Sequence, residues 1–152
     1  MQTSADLQAN HTSWSCFSAL EQELEDSKAF IEIHKDNYHL VSEKYESIVM
    51  KACAEIENIY QQLSGKALAV KQNISTYIHS ITDHCKDFFN TEILMPMHNE
   101  NIKPWSACAE GKEPEFWSIY HALKHTGAVG IATLKHAIHS LAGLFSLLLA
   151  LD

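Results

Sequence analysis

One run of this chain leaves little choice of secondary structure. Val41, Tyr45, Ile48, Ala52, Ile56, Ile59 and Leu63 recur at steps of three and four, the spacing that gathers side chains on one stripe of an α-helix. Asp36 and Asn37 stand ahead of it as cap residues, and Gly65 follows as a C-cap glycine. The predicted helix has about 26 residues, roughly 39 Å at the usual rise per residue. A stripe that long makes it the spine of the domain.

Helical spacing recurs on both sides of the spine. Phe17, Leu20, Leu24 and Ile31 form one stripe, with small Ser27 filling the gap. Glu21, Glu23, Glu25 and Asp26 make a solvated opposite face. A weaker pattern over 66–90 holds Ile74, Tyr77, Ile78, Ile81, Phe88 and Phe89. Pro96, Pro104 and Gly111 then break the chain into an irregular insertion, with one short strand pair expected near Ile93-Leu94-Met95. Glu113-Pro114 opens a fourth helix faced by Phe116, Trp117, Tyr120 and Leu123, and Gly127 and Gly130 close it.

The last helix, 131–151, carries no charge from Leu141 to Leu151. That strictly apolar stretch is about 11 residues against the roughly 20 that a membrane span needs, so it is read as the buried central helix of a bundle. The fold class expected is all-α: a compact bundle of about five helices with an irregular insertion before the fourth. Residues 1–13 are polar and aperiodic, a flexible N-terminal tail, and 14–152 form a single domain. Only 5 glycines and 3 prolines in 152 residues argue against an all-β fold rich in tight turns.

Charge narrows the function. Lys and Arg total 11, every one a lysine, against 19 Asp and Glu, for a formal net charge of −8. Any mechanism needing a guanidinium is excluded, and general nucleic-acid binding, which rests on clustered basic residues, is disfavoured. Cys16, Cys53, Cys85 and Cys108 lie too far apart for a CxxC metal or redox motif. The first residues lack the basic and apolar regions of a secretory signal. Reduced thiols and a cytoplasmic location are the expectation.

Two features carry candidate chemistry. Among 10 histidines, His121 and His125 are four apart and His136 and His139 three apart, so each pair shares a helix face. Two antiparallel helices bearing such pairs offer four imidazoles to a zinc-like ion. No carboxylate or cysteine shares that spacing, and the plainer reading is surface histidines and a hydrogen-bonded core layer. Glu55 stands at the edge of the spine's apolar stripe. It either reaches out to water or pairs with a cation, because an unpaired buried charge is costly. Lys124 and His125 are the expected partners.

Three segments together resemble a known family. They are Pro114-Glu115-Phe116-Trp117, then Tyr120-His121-Ala122-Leu123-Lys124-His125, then Ala132-Thr133-Leu134-Lys135. They are similar to a branch of the HEPN superfamily, helical-bundle proteins of prokaryotic defence and toxin–antitoxin systems. That branch reads Pro-x-Trp-Trp, Tyr-Asn-x-x-Lys-His and Ala-Thr-Leu-Lys. Lys51-Ala52-Cys53-Ala54-Glu55-Ile56-Glu57 resembles its second helix. The likeness spans about residues 36–151. Many HEPN ribonucleases carry an Arg five residues before a His. Counted back from His125, that place holds Tyr120, and the polar place after it holds His121. Phe116 stands where the branch usually has its first Trp.

The resemblance implies two functions. One is a metal-independent ribonuclease in which His125 or His121 is the general base and Lys124 stabilises the phosphorane charge. Glu55 would stand beside them, and two copies would meet to form the cleft. The other is a non-catalytic module that forms a homodimer and binds a partner protein or a nucleotide. Neither reading calls for a cofactor or a membrane.

Overall fold

A computed structural model describes residues 4–64, 74, 78–79, 87–95 and 101–151. The spine is present as α2, Glu43–Ser64. Tyr45, Ile48, Val49, Ala52, Cys53, Ile56, Ile59 and Tyr60 bury its stripe. Its cap is Ser42, whose hydroxyl accepts from the Lys44 backbone N–H at 3.1 Å while its carbonyl accepts from that of Glu46 at 3.1 Å. Asp36 and Asn37, the expected caps, lie in a separate 3-10 turn, Lys35–Asn37. Val41 falls outside the helix and bridges to Thr133.

Helix α1, Ser4–Asp26, begins well inside the segment read as a polar tail. Ser13 shows why: its hydroxyl is buried and donates to the carboxylate of Glu55 on α2 at 2.7 Å. A polar residue that looks unanchored in the sequence is thus held across a helix pair. Phe17, Leu20 and Leu24 bury the stripe of α1. At its end the Ser27 hydroxyl donates to the carbonyl of Leu24 at 2.6 Å, and the chain tightens into a 3-10 turn, Ser27–Ala29.

Four α-helices are delimited among the described residues, against the five or so expected. The third pattern, over 66–90, lies largely outside them; of its residues, Ile74 and Ile78 are helical and buried. The insertion forms an antiparallel pair, β1 (Ile93–Leu94) and β2 (Asn101–Ile102), with Ile93 opposite Ile102. A 3-10 helix, Ser106–Glu110, follows and ends at Gly111, whose φ of +73° is open to glycine without a Cβ clash. The insertion is anchored by Trp105, which is buried and donates from its indole N–H to the carbonyl of Gly143 at 3.0 Å.

Helix α3, Glu115–His125, starts at Pro114 and buries Phe116, Trp117, Tyr120 and Leu123. Helix α4, Leu134–Leu151, packs against α2 and also against α1 and α3. It is the central helix the sequence predicts. By length and composition it is apolar enough to cross a membrane, yet 67% of it is buried inside the bundle. Its buried Ser140 and Ser146 return their hydroxyl protons to the carbonyls of Ala137 and Gly143, so neither leaves an unsatisfied donor in the core. The loop before α4 is tied to the strand-like segment before α2: Leu134 N–H donates to the Leu40 carbonyl and Lys135 N–H to that of Tyr38.

Candidate functional site

The last two turns of α3 hold Tyr120, His121, Lys124 and His125. Tyr120 faces inward because its i−3 and i+3 neighbours, Trp117 and Leu123, are both core residues. Its hydroxyl bonds the carboxylate of Glu57 on α2. Burial first, and then the Glu57 charge and hydrogen bond, hold this phenol well above its ordinary pKa. Lys124, one turn on, brings Nζ to 3.0 Å and 3.4 Å from the two oxygens of Glu57. The same ammonium sits 5.4 Å from the centre of the Tyr120 ring, within cation–π range. Glu57 is therefore the hub of a small polar layer, partly buried between α2 and α3.

The expected partnership of Glu55 with Lys124 or His125 is overturned. Successive helical residues turn about 100°, so positions 55 and 57 point about 200° apart. Glu55 faces α1 and meets Ser13; Glu57 faces α3 and meets Lys124. The signal that distinguishes them is in the sequence. Cys53, Glu57 and Tyr60 share one flank of the spine at steps of four and three, and that flank lies under α3.

His121 and His125 stack at 5.3 Å with their planes inclined by 38°. The edge of His121 also meets Trp117 and Tyr120. Neither imidazole takes a hydrogen bond or ion pair among the described residues. The structure thus brings together His121, His125 and Lys124, with Glu57 in the place given to Glu55.

His136 and His139 do not join them in one metal site. Among the described residues no three His, Cys, Asp or Glu side chains are grouped so as to hold a metal ion. His136 is occupied at both nitrogens. Its Nδ1 accepts from the Thr133 backbone N–H at 3.1 Å, and the His136 backbone N–H returns a bond to the Thr133 hydroxyl at 3.3 Å. This is the reciprocal box that caps a helix start, with imidazole in the role usually taken by Glu or Gln. The proton then belongs on Nε2, which lies 2.8 Å from Glu115 Oε1. That hydrogen bond, ahead of the nearby Lys135 and His139, holds the Glu115 carboxyl below the usual range. No local spacing in the sequence points to Glu115 or Thr133 as partners of His136.

Comparisons of the chain with protein-family models, curated proteins and solved structures find no match.

Proposed function

We propose that this chain is a non-catalytic HEPN-like module, of the kind found in prokaryotic defence or toxin–antitoxin systems. In this reading it pairs with a second copy and acts by binding a partner protein or a nucleotide. The observation that supports it is the Lys124–Glu57 ion pair at 3.0 Å. A ribonuclease built here needs Lys124 to stabilise the negative charge of the phosphorane. Its ammonium already faces the Glu57 carboxylate and the Tyr120 ring, and the chain has no arginine to take its place. A carboxylate at the site also repels the phosphate that a nuclease must seat.

One observation favours the second reading, a ribonuclease using His125 or His121. The two imidazoles lie ring to ring at the end of α3, uncommitted to any side chain by hydrogen bonding among the described residues, and a pair of such groups suits acid and base roles near neutral pH. Incubation of the pure protein with mixed RNA separates the two. The binding reading expects no difference between wild type and His125→Ala. Cleavage that disappears in His125→Ala overturns it. Light scattering at micromolar concentration tests the pairing, for which a dimer mass is expected and a monomer mass is contrary.

A further inference from the structure

A second face of the molecule, at the end of the bundle where α1 finishes and α2 begins, carries exposed apolar side chains over open cavities. Phe30 is 89% exposed and Val129 77% exposed, with Val41 half out beside them. Isolated surface apolar residues need no explanation, but these three border two adjoining cavities. The smaller, about 260 Å³, lies over Phe30, Ile31 and Tyr45. The larger, about 520 Å³, lies over Val41, Val129 and the carboxylates of Glu43 and Glu46. Ser42 is a wall of both.

The charge on this face points to an occupant. Lys44 reaches back to Glu23 at 3.6 Å, and neither Glu43 nor Glu46 has a basic partner among the described residues. Both lie in the first turn of α2. The partial charge there, about +0.5, offsets only a fraction of two carboxylates.

We infer that this face seats a basic, apolar-anchored segment of another protein. An apolar side chain fills the smaller cavity, and a lysine or arginine lies along Val41 and Val129 with its charge on Glu43 and Glu46. Such side chains suit the larger cavity because their aliphatic stems cover apolar surface while the head meets the carboxylates. A second copy of this chain fits poorly. A two-fold contact sets each patch against itself, and that would bring four carboxylates together. The loop holding Val129 is tied to the segment before α2 through the Val41–Thr133 bridge, so the groove is preformed. The inference rests on the partner-binding reading above and names the surface that serves it.

The probe is a fluorescein-labelled two-heptad peptide with Leu at the a and d positions and Lys elsewhere. Its control carries Glu in place of Lys. Anisotropy is expected to show binding of the Lys peptide alone. The Glu43→Gln, Glu46→Gln double variant and Phe30→Ser should each weaken it by at least about tenfold, with circular dichroism melts unchanged. Methyl spectra should shift at Ile31, Val41 and Val129. Failure of the Lys peptide to bind overturns the inference, as do equal binding of the Glu peptide and full binding by the variants. Methyl shifts that appear on concentrating the protein alone overturn it in favour of a second copy. RNA cleavage by the wild type would sink the non-catalytic reading without touching these peptide results. Loss of peptide binding, in turn, leaves nucleotide binding and pairing as they stand.

Discussion

Trp105 reaches from the irregular insertion into the central helix, donating its indole N–H to the carbonyl of Gly143 at 3.0 Å. The approach is possible because position 143 has no side chain. A Cβ there would stand 3.0 Å from the Phe116 ring and 3.3 Å from that of Trp105. One glycine thus lets two aromatic rings, themselves edge to face at 5.4 Å, close over the helix.

The first prediction follows from that space. Gly143→Val should destabilise the fold by about 1–3 kcal/mol, the usual cost of overpacking a filled core. Gly143→Ala should cost less, because the gain in helix propensity, about 1 kcal/mol, opposes the crowding. Urea denaturation of the three proteins checks the order. A valine variant as stable as wild type would show that Trp105 and Phe116 can retreat freely.

The two spine carboxylates make a second prediction. Glu57 and Lys124 are 19% and 41% exposed, so solvent screens their attraction and a double-mutant cycle should give a coupling below about 1 kcal/mol. Glu55 and Lys124 should show none, because Glu55 faces α1. Ser13→Ala and Glu55→Gln should instead couple with each other. Coupling between positions 55 and 124 comparable to that between 57 and 124 would contradict the assigned faces.

The thiols give a third. Burial, with a contribution from Glu113, pushes Cys108 up to about 12. Burial, with Glu57 behind it, raises Cys53 well above its ordinary value. Cys16 is raised as well, by burial and then by the Glu55 charge, but it is only partly covered. Thiolate is the reactive form. In a Cys85→Ser background at about pH 8, near the free thiol's usual pKa, a disulfide reagent should modify Cys16 slowly and the other two only on unfolding. Prompt modification of Cys108 in the native state would refute the burial assigned to it.

Periodicity explains what the sequence made legible. The stripes of α1, α2, α3 and α4 are period-3.6 patterns, and nearly all their apolar positions are buried as expected. The start of α1 escapes the pattern because a polar helix stretch shows no such period, and Ser13 is held by a residue 42 positions away. The cap of α2 is hidden because Val41 extends the apolar rhythm past the true start at Ser42. At the candidate site, the side chains on α3 were legible because they are local in sequence. Their carboxylate partner, Glu57, stands two residues from Glu55, which on a helix is the difference between opposite faces.

The last prediction concerns acid. Glu115 Oε1 lies 2.8 Å from His136 Nε2, and Lys135 and His139 add positive potential around the same carboxylate. Together they hold the Glu115 carboxyl below its ordinary range, the hydrogen bond from His136 being the largest cause. A carboxyl whose pKa is lower folded than unfolded contributes stability that is fully present above its unfolded value, about 4.3. The contribution is lost as pH falls through the folded value. Glu115→Gln keeps an oxygen to accept from Nε2 but removes the titration. The stability difference between wild type and this variant should therefore be steady above about pH 5 and shrink below about 4.3. The carboxyl is 68% exposed, so solvent keeps the effect small, and side-chain NMR titration of Glu115 is the more sensitive measurement. His136→Ala should move that titration upward. An unchanged Glu115 titration in His136→Ala would mean that the imidazole only caps α4, through its exchange of hydrogen bonds with Thr133.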